Sequence, residues 1–142
     1  RALEKYAVRA GGGANHRLGL FDGVLIKDNH IAACGGITEA VARARRRAHH
    51  LLKIEVEVAD LEQAAEAVDA GADIIMLDNM DPETIRAAVS RIGGRARVEV
   101  SGTVTREKLK MLAAPGVDFI SAGALTHSAR AVDLSMRIAG ED

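Results

Sequence analysis

The chain has few groups with which to stack on bases or to close a disulfide. It holds no Trp, one Tyr and two Phe, so stacking on several aromatics is not its mode of recognition. A single cysteine, Cys34, excludes an internal disulfide framework and is compatible with a reducing cytoplasm. As a side chain, Cys34 reads as a small buried hydrophobe. Nineteen basic residues against twenty acidic ones give a formal net charge of −1, without the basic excess of nucleic-acid binders. No apolar run approaches the length of a membrane span, and the sequence opens on no signal-peptide pattern. The expectation is a cytoplasmic protein with neither nucleic acid nor membrane as partner. No Cys/His array has zinc spacing, no glycine-rich loop matches a nucleotide-binding P-loop, and no linker or low-complexity stretch divides the chain.

What remains is one regular alternation. Strand patterns at Val24–Asn29, Lys53–Val58, Ile74–Asn79, Arg97–Gly102 and Phe119–Ala124 are separated by amphipathic helical patterns at Ile37–His50, Leu61–Ala70, Pro82–Ile92 and Arg106–Ala113. A last helix is expected over His127–Ile138, and a first one around Leu3–Val8. Thr38, Asp60, Asp81 and Thr105 stand near N-caps, and Pro82 suits a first helical position. Gly71, Gly93 and Gly116 follow helix ends. Repeated strand–helix units imply parallel strands joined by right-handed crossovers. The 142 residues suffice for one domain. They start at Arg1 rather than Met, with a helix entered uncapped; the chain is therefore expected to be the carboxyl-terminal part of a longer one.

The strands depart from the usual buried pattern. Parallel strands covered on both faces read as nearly continuous aliphatic runs. Here Val24, Ile26, Ile54, Val56, Val58, Ile75, Leu77, Val98 and Val100 alternate with Lys27, Lys53, Glu55, Glu57, Asp78, Glu99 and Ser101. A flat sheet with helices on both sides would strand those charges at several kcal/mol each unless paired. A barrel puts the helices outside and a polar face inside, with a site at the carboxyl ends of the strands. Polar or small residues recur at those ends once per unit, at Glu57, Asp78, Ser101 and Gly123. Five strands do not close an eight-stranded barrel, so the fold class is α/β, an incomplete or open TIM-like (β/α) barrel of parallel strands.

The stretch from Asn15 to His30 gathers two cations, Arg17 and Lys27, and two imidazoles, His16 and His30, around the first strand. The fork of Arg17 matches a carboxylate and Lys27 is a compact point charge, which together suit an anionic substrate. Lys27 is equally well placed for a structural ion pair with Glu55 or Glu57. The histidines are donors, acid–base groups or plain loop residues. Glu57 and Asp78 can hold magnesium, bind sugar hydroxyls, stabilise positive charge developing on a ribose, or merely neutralise Lys27 and Lys53. The turns Ser101-Gly102-Thr103 and Ala122-Gly123-Ala124, with His127 just beyond, suit a phosphate or simply a tight bend. Arg43, Arg45, Arg46 and Arg47 read as a solvated helix face, and His49 and His50 as complements to that helix's dipole.

These segments occur in a distinctive order: Leu3–Val8, Gly11–Arg17, Leu25–His30, Glu55–Val58, Leu77–Asn79, Glu99–Gly102 and Gly123–His127. Over essentially its whole length the chain resembles the quinolinate phosphoribosyltransferases, the carboxylating nicotinate-nucleotide pyrophosphorylases. The resemblance implies a type II phosphoribosyltransferase barrel. The reaction is then quinolinate plus phosphoribosyl pyrophosphate to nicotinate mononucleotide, pyrophosphate and carbon dioxide, a transferase step of NAD biosynthesis. By motif it implies His16, Arg17 and Lys27 for quinolinate, and Glu57, Asp78, Ser101, Gly102, Gly123 and His127 for phosphoribosyl pyrophosphate. Lys27, Glu57 and Asp78 are its catalytic set, with Mg2+ held by Glu57 and Asp78 directly or through water. It also implies an amino-terminal α/β domain and a first barrel strand that this chain lacks, and a homodimer in which that domain lends an arginine to the partner's site. Many members have glycine where Thr103 stands. Related type II enzymes acting on nicotinate, or associated with molybdenum transport, are the alternatives, as is a non-catalytic phosphosugar-binding module.

Overall fold

The computed structural model describes residues 1–139. In chain order the elements are α1 (Ala2–Ala10), β1 (Val24–Ile26), α2 (Asp28–Cys34), α3 (Ile37–Arg47), β2 (Ile54–Val58), α4 (Leu61–Asp69), β3 (Ile74–Asp78), α5 (Pro82–Ile92), β4 (Arg97–Ser101), α6 (Leu109–Leu112), β5 (Phe119–Ile120) and α7 (Ala124–His127). The five strands form one sheet in sequential order β1-β2-β3-β4-β5, every neighbouring pair parallel. Sequential parallel order is the pattern of a barrel wall, and among the described residues β1 and β5 are its two edges. α1 lies against α7, so the chain curls round and brings its first and last helices together.

Alternation decides which face is which. Ile26, Ile54, Val56, Val58, Ile75, Leu77, Val98 and Val100 are all buried on the outer face. They pack in one cluster with Ile37 and Val41 of α3, Ala64, Ala67 and Val68 of α4, Ile85, Ala88 and Ile92 of α5, and Leu112 of α6. A buried aliphatic side chain contributes about 1.5–3 kcal/mol, and this layer supplies most of the core. Truncating its centre, Ile75→Ala, is expected to lower unfolding free energy by about 2–5 kcal/mol. A urea midpoint unmoved by that change would mean the layer is not where stability resides.

The helix starts follow from their caps. The Asp81 carboxylate accepts from the N–H groups of Glu83 and Thr84 at 2.9 and 3.0 Å, with Pro82 next, and Gly93 closes α5 in the left-handed region at φ 59°. Asp60 accepts from Gln63 N–H at 2.8 Å to start α4. The strand starts share a device that recurs in the sequence as Gly71-Ala72-Asp73 and Gly116-Val117-Asp118. Each aspartate accepts, at 2.8 Å, the N–H of a residue on the neighbouring strand, Ile54 for Asp73 and Val98 for Asp118.

Several expected elements are corrected. The first strand stops at Ile26 rather than Asn29, because Lys27 caps α2 and the Nδ1 of His30 accepts from the Lys27 N–H at 3.0 Å. His30 is thus a helix-cap residue. The helix expected to reach His50 ends at Arg47, so His49 and His50 lie beyond it; it is entered at Gly36, while Thr38 bonds Glu66. Arg45 is no solvated bystander: it donates to the Gly71 carbonyl at 2.6 Å and reaches Asp73 at 3.0 Å. The fourth crossover forms only the short α6, entered at Lys108 and not at Thr105, and β5 spans two residues. No helix covers His127–Ile138; α7 ends at His127 and residues 128–139 have no regular element. Val132, Leu134, Met136 and Ile138 are exposed, and an amphipathic pattern with nothing to pack against does not hold a helix.

Candidate active site

The inner face of the sheet carries ionic groups, and the structure sorts them into two clusters. One sits at the carboxyl ends of the strands. Lys27 leaves β1 and its ammonium pairs with Glu57 on β2; the lysine side chain is 45% exposed, the glutamate 18%. Asp78 ends β3, two residues beyond Met76, the partner of Glu57 in register, and lies opposite Ser101 on β4. Asn79 ties this rim together. It adopts the left-handed region at φ 52°, tolerable for Asn because its short amide bonds locally. Its N–H donates to the Ser101 carbonyl at 3.1 Å, its amide donates to Asp78 at 3.0 Å, and its Oδ1 accepts from Thr103 N–H at 3.1 Å. Gly102 sits at φ 121°, where an added Cβ would overlap the Asn79 amide. On the last strand's turn, an added Cβ on Gly123 would come within 3.0 Å of the His127 ring. The His127 Nδ1 lies 2.7 Å from Ser128 Oγ.

The second cluster lies at mid-strand. The loop after α1 is pinned by Lys5, which donates to the His16 carbonyl at 2.7 Å, and by Asp22, which accepts from the N–H groups of Leu18 and Gly19. It delivers the Nε2 of His16 to Glu55 on β2 at 2.8 Å. Glu99 on β4 accepts from Ser121. Glu55 and Glu99 are only 5% and 4% exposed, and one ligand-type atom from each of His16, Glu55 and Glu99 falls within a 4.8 Å span. Arg17 donates to the Gly23 carbonyl at 3.1 Å. The cluster borders a cavity of about 890 Å³ that extends toward the strand starts; its lining includes His16, Arg17, Glu55, Glu99 and Ser121, the charged Lys5, Arg9, Lys53 and Asp118, and the apolar or aromatic Tyr6, Leu18, Val24, Phe119 and Leu125.

Electrostatics follow from these contacts. The hydrogen bond to Glu55 raises the pKa of His16 above 6.5, against a smaller opposing effect of burial. Burial raises Glu99 above 4.5, the Ser121 hydrogen bond opposes this, and the adjoining Glu55 adds to it. Burial pushes Asp73 up, but the Ile54 N–H, Arg45 and Lys53 together bring it below 3.8. Both raised groups stabilise the fold fully below their unfolded values and lose that contribution as pH rises through their folded ones. Asp73 does the reverse, losing its contribution as pH falls through its lowered value. The unfolding midpoint is therefore expected to decline from mildly acidic to alkaline pH. His16→Asn should flatten the decline above pH 6.5; identical profiles for the two proteins would show that the pair carries no such linkage.

The structure thus brings Lys27, Glu57, Asp78, Ser101 and Gly102 to one rim and His16 and Arg17 to the cavity, while Gly123 and His127 stand at the turn after β5. Lys27 is not on the cavity wall; its ammonium is turned to Glu57. Glu55, Glu99, Ser121 and Asn79 carry no site role in the sequence reading. The available signal was a lone carboxylate between β-branched neighbours, Ile54-Glu55-Val56 and Val98-Glu99-Val100, which marks a charge buried for a reason.

Comparison with known proteins decides the family. Residues 1–137 match the model of the quinolinate phosphoribosyl transferase C-terminal domain. The chain belongs to that family. A probable carboxylating nicotinate-nucleotide pyrophosphorylase of Bacillus subtilis is 53% identical over 138 residues, covering 97% of this chain and 48% of the relative. The human carboxylating nicotinate-nucleotide pyrophosphorylase is 40% identical over 141 residues, covering 97% and 48%. The crystal structure of NadC from Streptococcus pyogenes superposes with a TM-score of 0.89 at 48% identity, over 96% of this chain and 48% of that one. The nicotinate-nucleotide pyrophosphorylase of Francisella tularensis superposes at 0.86 with 50% identity, over 92% and 46%. As a quinolinate phosphoribosyl transferase C-terminal domain, the chain spans about half the length of these relatives. Its sheet is an open TIM-like barrel.

Proposed function

We propose that this chain is the barrel portion of an enzyme that joins quinolinate to phosphoribosyl pyrophosphate, releasing pyrophosphate and carbon dioxide and forming nicotinate mononucleotide. The observation that carries the reading is the placing of His16, biased toward its cationic form by Glu55, with Arg17 on the wall of a cavity that Tyr6, Leu18, Val24, Phe119 and Leu125 also line. A flat aromatic dianion needs cations for its carboxylates and apolar surface for its ring. Lys27 stands off the cavity wall, at the strand-end rim; with three donors and one committed to Glu57, it is the third cation of the set and meets the substrate from the rim. The rim supplies the other substrate's needs: carboxylates for ribose hydroxyls and for positive charge developing at the anomeric carbon, then the turns at Ser101-Gly102 and Gly123 with His127 for phosphate. Juxtaposition and electrostatic stabilisation account for the acceleration, and no general base is assigned.

Glu57 and Asp78 suit magnesium by donor chemistry. Each is a half-buried carboxylate that spends one oxygen on a neighbour, Lys27 or Asn79, and carries a second. Magnesium takes one or two carboxylates and fills its remaining positions with water and substrate phosphate. When bound it would neutralise charge on the departing diphosphate. A cytoplasmic homodimer, with the rest of the polypeptide contributing to the site, completes the proposal. Among the described residues no helix is long and apolar enough to cross a membrane.

The test is release of labelled carbon dioxide from carboxyl-labelled quinolinate by the full-length polypeptide. Release that requires phosphoribosyl pyrophosphate is the expected result, with the isolated 142-residue segment inactive. Phosphoribosyl transfer to nicotinate without carbon dioxide would point to the related type II enzymes. Turnover by the segment alone, at the full-length rate, would refute the incomplete-site reading.

A further inference from the structure

We infer that Glu55, backed by Glu99 and Ser121, is a positioning residue for the substrate-facing imidazole of His16. The inference rests on the function proposed above and adds three groups to it. His16 reaches the sheet from a loop, not from a regular element, so its ring orientation must be fixed by what it touches. It touches Glu55, at 2.8 Å through Nε2, and the contact joins residues 39 apart in sequence. With Nε2 held, the ring's other nitrogen, Nδ1, is the one available to an anion. A carboxylate on Nε2 favours the form in which Nδ1 also carries a hydrogen, so that a substrate carboxylate meets a donor.

The groups behind Glu55 make this more than a loop tether. Glu55 Oε1 is buried and has no hydrogen-bond partner. An unsatisfied buried carboxylate oxygen is costly, and the neighbouring group that can satisfy it is Glu99, one carboxylate oxygen of which lies within 4.8 Å of one of Glu55. Two carboxylates bond only if one keeps its proton. Burial and the adjoining charge favour the acid form of Glu99, and Ser121 donates to Glu99 Oε1. With that proton on Glu99, the chain runs from Ser121 O–H to Glu99, from Glu99 O–H to Glu55 Oε1, and from His16 Nε2–H to Glu55 Oε2. It crosses β2, β4 and the end of β5, which makes Glu55 a fixed support. The His16 ring faces the cavity.

The experiment uses the full-length polypeptide and steady-state kinetics with each substrate varied. Glu55→Gln is expected to raise KM for quinolinate about tenfold, with KM for phosphoribosyl pyrophosphate and kcat little changed. Combined with His16→Gln it should add nothing to the effect of His16→Gln alone, because Glu55 acts through that ring. An unchanged quinolinate KM in Glu55→Gln, an equal shift for both substrates, or multiplicative effects in the double variant would overturn the inference. If Glu55→Gln does not fold, Glu99 answers the same question. Glu99→Gln keeps an N–H for Glu55 Oε1 and should stay within about threefold of wild type in quinolinate KM, while Glu99→Met, unbranched and of similar length but without a donor, should shift it about tenfold. Equal effects of the two would overturn it. A wild-type protein that fails to turn over quinolinate would instead remove the proposed function, and this inference with it; normal turnover with indifferent variants removes the inference alone.

Discussion

Lys27→Ala in the full-length polypeptide is expected to lower quinolinate turnover by about 10²–10³-fold, the range seen when one preorganised charge-stabilising donor is removed. The same is expected of Glu57→Ala, for the opposite reason: the rim loses the carboxylate proposed to face the ribose. Stability separates chemistry from structure here, because the two side chains form one ion pair. With the lysine 45% exposed, either single change should alter stability by about 1 kcal/mol or less. The double variant Lys27→Ala/Glu57→Ala removes both charges and should recover that stability without recovering activity. Activity within about threefold of wild type in either single variant, measured on folded protein, would reduce the pair to a structural ion bridge.

Gly102→Ala is expected to act from outside the charge cluster, with a smaller effect confined to one substrate. At φ 121° the new side chain enters a region that L residues rarely adopt, and its Cβ would displace the Asn79 amide. Strain of this kind costs about 1–3 kcal/mol. It falls on the one residue that bonds Asp78, Ser101 and Thr103 together. The expected signature is a rise of about tenfold or more in KM for phosphoribosyl pyrophosphate, since a lost hydrogen-bond set of this size is worth at least that factor. Quinolinate KM should move little, because the His16 cluster lies on other residues. A change confined to the quinolinate KM would place the Ser101-Gly102 turn in the wrong half of the site.

The fold was legible wherever a residue's role depended on its neighbours in sequence. Alternation along β2, β3 and β4 assigned the aliphatic outer face and the ionic inner face correctly, because side chains on a strand point to opposite sides at a period of two. Asp60, Asp81, Pro82 and Gly93 marked helix ends because capping is local chemistry. The reading failed at His127–Ile138, whose pattern is helical but whose apolar side meets no surface, and at Lys27–His30, where a histidine side chain bonds back to the backbone and turns a strand into a helix.

The amino-acid sequence alone determined the parallel α/β architecture, the polar interior and the candidate groups at the strand ends, since each depends on period, capping and composition within a short window. Only the tertiary structure decided that Lys27 spends its charge on Glu57, that His16 is held by Glu55 against a buried Glu99, and that Asn79 rather than a charged group organises the rim. Those pairings join residues on different strands and loops. Their partners are chosen by sheet register and by the low dielectric of the barrel interior, which makes an unpaired charge more costly than any local preference.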